Sequence, residues 1–512
     1  LADALWYVNP NPHCAVAIPV NKRAAATQNR ISQAMLRLPT HPIFRQLQIL
    51  VLLLAWSTAW AGNDVLPQSV QTALRQANIP ASHVGIVVWQ VGKNAPLLKH
   101  DDTLSFNPAS TMKLVTSYAA LELLGPAYTW KTAIYTDGSL DDGVLTGNLY
   151  IKGDGDPQLT LERFWLLLRE LRSRGVREIR GDLILDQSYF SLPGTDPARF
   201  DGEPGRAYNA IPAALMVNFN STTLRLTPTA AGVAAYADPM PPGMRLVNKL
   251  QLDNAPCGEW RDRIDIQWLP DNGNSRLVLN GNYAAACGEK STAFNLGDAS
   301  VAVADAFRML WQELGGRLTG SWRVGQLPAN ARQLMVFDST PLAEVVRSLN
   351  KFSNNVMARS LFLSLGAVTS GAPGNTQKSA DAVRGWLSGK GLDFPELVLE
   401  NGSGLSRIER ISPHSMARLL LAAYDSPIFS ELESALPIAA VDGTMKSRGK
   451  NTALAGHAHI KTGTLEGVKT IAGYVFDKSG KRFVVVFDIN DPNAAAGGAA
   501  QDALLEWVYG GG

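Results

Sequence analysis

Between residues 458 and 490 the chain reads "AHIKTGTLEGVKTIAGYVFDKSGKRFVVVFDIN", three strand-like runs of which the second and third are joined by a "DKSG" turn. This stretch constrains the fold most, because short apolar strands are stable only as part of a larger sheet with covered faces. A closing helix follows in "AAQDALLEWVYG". Matching pieces stand near the other end. "VLPQSVQTALRQANIP" reads as an amphipathic helix ended by Pro80, and "HVGIVVWQVGKNAPLLKHD" as a hairpin around a Gly-Lys-Asn turn. In "FNPASTMKLVTSYAALELLG", Pro108 fits a first helical turn and Gly125 a C-terminal stop. A sheet shared between the two ends, with an insertion between them, is the economical architecture.

The insertion has its own texture from about 132 to 335. "TLERFWLLLRELRSRGVREIRGDLILD" and "SVAVADAFRMLWQELGGRLTGSWRVG" repeat one order of helix, glycine turn and strand, as two halves of one inserted domain would. Between them lie short β-rich runs such as "STTLRLTP" and "SRLVLNGNYAA", rich in Pro, Gly and Asn, which predict a small β module nested inside the insert. A length of 512 residues suits two or three domains. The formal charge of +2 selects no partner, and no basic run interleaved with aromatics points to nucleic acid.

The first methionine is Met35. From there basic Arg37 and Arg45, an apolar stretch from Leu47 to about Ala55, and small Ala59 and Ala61 before Gly62 form a signal-peptide layout. The apolar core is shorter than the roughly 20 residues a bilayer span needs, so cleavage is expected rather than anchoring, the alternative being an uncleaved interfacial anchor. Residues 1–34 are expected to be a mis-set start and 35–61 the signal peptide. Export would leave Cys257 and Cys287 in an oxidising compartment, where a disulfide is the favoured reading and two separate buried thiols the alternative.

Three S-x-x-K stretches occur: Ser110 to Lys113, Ser348 to Lys351 and Ser447 to Lys450. The spacing alone therefore decides nothing. Ser110 and Lys113 open a helix and share its face, whereas the other two are expected to be solvent-facing coincidences. Lys461, Thr462, Gly463 and Thr464 occupy a strand, where an alternating lysine and hydroxyl can grip a carboxylate and the glycine admits a close backbone. In "KFSNNVMA", Ser353 and Asn355 stand two apart, between the serine helix and the K-T-G strand in sequence order. A serine hydroxyl needs a base, and a lysine one turn away serves if burial and a neighbouring cation depress its pKa. His457 and His459 flank the same strand without an evident third metal ligand and read as ordinary strand residues. His414 has no G-x-S-x-G elbow to serve, which argues against a Ser-His-Asp hydrolase.

Together these motifs resemble the serine acyl-transferases that include penicillin-binding proteins and serine β-lactamases. With the large insert, "ENGSGLSR", "AAVDGTMKSR" and "IKTGTLEGV", residues 62–512 resemble the class C low-molecular-mass penicillin-binding proteins, D-alanyl-D-alanine carboxypeptidase/endopeptidases of the penicillin-binding protein 4 type. The resemblance implies an α+β fold: a transpeptidase/β-lactamase-like domain, its antiparallel sheet flanked by helices (62–131 and 336–512), an inserted domain (132–218 and 296–335), and a nested β domain (219–295). It implies Ser110 as nucleophile, Lys113 as base, Ser353 as proton relay, Asn355 on the substrate amide, and Lys461 with Thr462 on the terminal carboxylate. Backbone N–H groups of Ser110 and Thr464 would form the oxyanion hole. It further implies Asp186 as a partner for a stem-peptide amine, weighed against an exposed strand-end aspartate, and Arg407 as a residue lining the same cleft, weighed against a structural salt bridge. No metal or organic cofactor is required. The expected partners are peptidoglycan stem peptides, with β-lactams as inhibitors, in the periplasm and without a strong membrane anchor. The rivals are a serine β-lactamase, for which no convincing E-x-x-L-N follows the S-x-N loop, and a non-catalytic wall-binding scaffold. The middle motif is Ser-Asn-Asn where some relatives have Ser-Asp-Asn.

Overall fold

The computed structural model describes residues 65–240, 243–271 and 274–512; the expected leader segments 1–34 and 35–61 lie outside them. Segments from the two ends of the described chain build a five-stranded antiparallel sheet. Their elements are helix α1 (Gln68–Gln76), strands β1 (Val84–Gln90) and β2 (Leu98–His100), helix α2 (Met112–Leu123), and helices α3 (Leu342–Phe352), α4 (Asn355–Ser370) and α5 (Pro413–Tyr424). Strands β3 (Ala458–Leu465), β4 (Val468–Phe476) and β5 (Arg482–Asn490) and helix α6 (Gly498–Gly510) complete the set. The strand order is β3-β4-β5-β1-β2, so the two chain ends do share a sheet, β1 pairing with β5 from Val84↔Ile489 to Gln90↔Phe483.

Both faces of this sheet are covered, which explains why its strands read as nearly unbroken apolar runs rather than as an alternation of apolar and polar. On β5, Phe483, Val485, Phe487 and Ile489 pack with Ile86 and Val88 against α1 and α6. Val484 and Val486 point the other way, with Val87, Ala472 and Tyr474, into the larger core that holds α2 to α5. Side chains alternate faces along a strand, so the two sets separate cleanly. Helix α2 is buried from Met112 through Leu121, as a helix enclosed on all sides must be. That position brings its N-terminus to the sheet's β3 edge.

Between Leu342 and Ser370 the chain forms two helices, α3 and α4, separated by Ser353 and Asn354. Ser353 sits in the left-handed conformation (φ 56°) at the end of α3, and Asn354 caps α4 by accepting the Met357 N–H at 3.0 Å. Asp and Asn cap helices equally well, so Ser-Asn-Asn does here what Ser-Asp-Asn would do.

In the insert, the repeated order of helix, turn and strand becomes pairwise pairing. Leu161–Ser173 leads to Glu178–Ile179 and Leu183–Asp186, and Ala299–Glu313 leads to Arg317–Leu318 and Trp322–Val324. The second set lies parallel beside the first, at Arg317↔Glu178 and Trp322↔Leu183, and both helices share one apolar core. Ser221–Thr229, Gly232–Asp238 and Lys290–Asn295 form a three-stranded sheet, and Asn274–Ala284 is the hub of a four-stranded one. Cys257 and Cys287 are joined there as a disulfide with Cα atoms 4.7 Å apart. Among the described residues no helix is long and apolar enough to cross a membrane.

Candidate active site

Ser110 lies in a 3-10 turn (Ala109–Thr111) that runs directly into α2. The turn is held from below. Asn107 accepts the Ala109 N–H at 2.9 Å and donates its own amide to the Ser406 carbonyl at 2.9 Å, while the Thr470 hydroxyl donates to the Pro108 carbonyl at 2.7 Å. Ala109 is forced to φ 43°, a strained value for a residue with a Cβ, and it sits immediately before the serine. Two glycines make room for this turn. A Cβ on Gly463 would meet the Ser110 nitrogen at 2.8 Å, and one on Gly404 would meet the Ala109 carbonyl oxygen at 1.7 Å. The close backbone approach inferred for Gly463 is therefore directed at Ser110.

Lys113 follows one turn later and is fully buried. Its Nζ lies 2.9 Å from Ser110 Oγ, 2.6 Å from Asn355 Oδ1 and 2.5 Å from the Ser403 carbonyl oxygen. All three partners are neutral. Burial, joined by the Lys461 cation, holds the Lys113 amine well below the usual lysine range, and Glu409 opposes the shift. An amine in that state can accept a proton from a hydroxyl at hydrogen-bond distance.

Lys461 comes from β3, the edge strand facing the turn, and is also fully buried. It donates to Ser353 Oγ at 2.8 Å and to the Thr462 carbonyl at 2.7 Å, and burial brings it down to about 7. The left-handed cap that breaks α3 from α4 is what presents Ser353 to it, and Asn355 opens the next helix in reach of Lys113. Thr462 donates its hydroxyl to Thr444 Oγ1 at 2.7 Å, and Thr464 is exposed one pleat further on. Hydrogen bonds thus link Ser110, Lys113 and Asn355 on one hand and Lys461 and Ser353 on the other, and the K-T-G strand packs on the turn that carries Ser110.

Arg407 lies at the end of the K-T-G strand: its guanidinium reaches Glu466 Oε2 at 3.4 Å and stacks over the Phe200 ring of the insert at 4.6 Å. Asp186 is not brought to this cluster. It is 2% exposed at the end of an insert strand, and its two oxygens accept the backbone N–H groups of Ser188 (2.9 Å) and Leu327 (2.8 Å). Asp186 is thus at a strand end but buried, which corrects the exposed strand-end aspartate expected as the alternative. Of the other serine–lysine pairs, Ser447 and Lys450 are exposed, but Lys351 corrects the expectation of a solvent-facing coincidence: it is 4% exposed and paired with Asp442 at 2.7 Å. His459 is half-buried against the Phe476 ring and His457 packs on Tyr509. Sequence reasoning missed the Ser403 carbonyl, Asn107, Thr444 and Glu409. The Asn-Pro pair before the serine signalled a turn; the others carry no local signal.

The match to known proteins agrees with this geometry. The family model of the D-Ala-D-Ala carboxypeptidase 3 (S13) family covers residues 66–509. The chain is 26% identical to the D-alanyl-D-alanine carboxypeptidase DacB of Haemophilus influenzae over 80% of its own length and 85% of that protein. It is 29% identical to the D-alanyl-D-alanine carboxypeptidase of Actinomadura sp. strain R39 over 86% and 83%. The crystal structure of Haemophilus influenzae penicillin-binding protein 4 superposes with a TM-score of 0.74 at 25% identity, covering 87% of this chain and all of that one, and a second structure of that protein holds a β-lactam. The chain belongs to the D-Ala-D-Ala carboxypeptidase 3 (S13) family, the class C low-molecular-mass penicillin-binding proteins, and is a serine D-Ala-D-Ala carboxypeptidase.

Proposed function

We propose that the chain cleaves the bond between the two terminal D-alanines of peptidoglycan stem peptides, and the cross-links built on them, through an acyl-enzyme on Ser110. One observation carries the reading: Lys113 is buried on neutral oxygens only, 2.9 Å from Ser110 Oγ, and burial with the Lys461 cation lowers its pKa toward the free amine that a serine nucleophile needs. Lys113 takes the Ser110 proton as Oγ bonds to the penultimate D-alanine carbonyl carbon. The oxyanion is held by the Ser110 and Thr464 N–H groups, each such donor being worth about 3 kcal/mol. The C–N bond then breaks, and Ser353, in contact with Lys461, hands a proton to the leaving amine. Lys461 and the Thr462 hydroxyl receive the terminal carboxylate, and Asn355, anchored by Lys113, orients the peptide amide. The proton that Lys113 took passes to Ser353, which leaves Lys113 the free amine again. Lys113 then deprotonates a water that attacks the acyl carbon, the ester C–O bond breaks, and Lys113 returns the proton to Ser110 as the shortened peptide leaves.

The insert divides in this reading into one module of 132–218 with 296–335 and a nested one of 219–295, and the protein works in the periplasm after export. Intact mass through a time course with benzylpenicillin, with peptide mapping of the adduct, tests the assignment. A lasting adduct on Ser110 and release of D-alanine from purified muropeptides are expected. An adduct lost within seconds makes the protein a β-lactamase, and the absence of any adduct removes the acyl-enzyme.

A further inference from the structure

Glu409 is fully buried, and the sequence offers no reason for a carboxylate there. Its Oε1 accepts the N–H groups of Glu400 (3.0 Å), Asn401 (2.8 Å) and Gly402 (2.8 Å), and its Oε2 accepts that of Gly404 (2.8 Å). Four donors converge on the two oxygens, an arrangement that suits the ionised carboxylate. Because the N–H groups of the 400–404 loop turn inward to Glu409, its carbonyls turn outward to α2. The Gly402 carbonyl accepts the Thr116 hydroxyl at 2.6 Å, and the Ser403 carbonyl holds Lys113 Nζ at 2.5 Å. The left-handed Gly402 and Gly404 permit this crossing, and Gly404 packs directly on the turn carrying Ser110.

We propose that Glu409 is the positioning residue for Lys113: it holds the 400–404 loop so that the Ser403 carbonyl fixes the amine beside Ser110, while its charge offsets the Lys461 cation. The inference rests on Lys113 being the base for Ser110. The charged groups around Glu409 are Lys113 on α2, Arg359 on α4, whose charge faces both Glu400 and Glu409, and Glu400 at the start of the loop; Lys461 lies across Lys113. Burial pushes the Glu409 carboxyl up and its four N–H donors pull it back. Glu409 raises the Lys113 pKa against burial and Lys461, so its charge delays the loss of the Lys113 proton on raising pH.

The test is the rate of Ser110 acylation by benzylpenicillin as a function of pH, with melting temperatures, for wild type and Glu409→Gln. The amide keeps the shape, removes the charge and turns its NH2 against the Gly404 N–H. The plateau rate is expected to fall about tenfold, and the acidic limb to move to lower pH by about half a unit or more, because Lys113 then frees its lone pair at lower pH. A structural carboxylate would cost stability alone, so an unmoved limb overturns the proposal whatever the rate or melting temperature does. If Glu409→Gln does not fold, Glu409→Asp carries the test: charge is kept and reach shortened, so the limb stays while the rate falls, and a wild-type rate overturns the proposal. Peptide mapping of the wild type separates the two levels. An adduct away from Ser110 overturns the base assignment and this inference together; a Ser110 adduct with an unmoved limb overturns the inference alone.

Discussion

Lys113 and Lys351 each stand three residues after a serine on a helix, and each is buried, at 0% and 4% exposure. They differ in what answers the ammonium. Lys351 reaches Asp442 Oδ2 at 2.7 Å and the Leu436 carbonyl at 2.5 Å; burial lowers its pKa and the carboxylate pulls it back up. Lys113 meets only neutral oxygens and faces a second cation. The same spacing therefore yields a strut in one place and a base in the other, and the counter-ion decides between them. The strut serves the site nonetheless. By fixing Asp442, which accepts the Ile438 N–H at 2.8 Å, Lys351 pins the loop whose Thr444 touches Thr462.

Substitutions that exchange or cancel this difference affect acylation to different extents. Ser110→Ala removes the benzylpenicillin adduct altogether, and Lys113→Ala slows acylation by about a thousandfold while the chain still folds, the lost amine leaving the Asn355 and Ser403 oxygens unanswered at a cost of about 1–3 kcal/mol. Mass spectrometry and thermal melting check both. Lys461→Met costs acylation about tenfold or more and stabilises the fold. The folded Lys461 releases its proton at about 7 whereas an unfolded lysine does so near 10.4, so between those values the unfolded chain binds the extra proton. Wild-type stability should therefore rise with pH across that window. The methionine variant should lose this rise and be more stable at neutral pH by about 1–3 kcal/mol, read by denaturant titration at several pH values.

Lys351→Met is the converse case. It strands Asp442, whose side chain is one-third exposed and so partly screened, and should cost about 1–2 kcal/mol of stability with less than a tenfold change in acylation. A larger loss of acylation than of stability would make Lys351 part of the chemistry. The smallest effect on acylation belongs to reduction of the Cys257–Cys287 bridge. Opening a loop of separation 30 should lower stability by about 3 kcal/mol in the nested β sheets, seen by calorimetry, and leave the Ser110 adduct rate unchanged.

The residues that sequence alone determined are those whose behaviour is local. Pro108 and Gly125 bracket a helix, Val84 to Gln90 and Arg482 to Asn490 are strands by composition, and the single K-T-G marks the site strand. Caps, periodicity and φ preferences act over a few residues, so a string of letters carries them. Tertiary structure decided the rest. The Ser403 carbonyl reaches Lys113 across 290 residues and Lys461 reaches Ser353 across 108, and neither contact leaves a trace in the letters between. Burial of Asp186, pairing of Lys351 and the ring of N–H groups around Glu409 likewise depend on which distant segment arrives. A lysine's charge state is set by desolvation and by the nearest opposite charge, and both are properties of the packed chain.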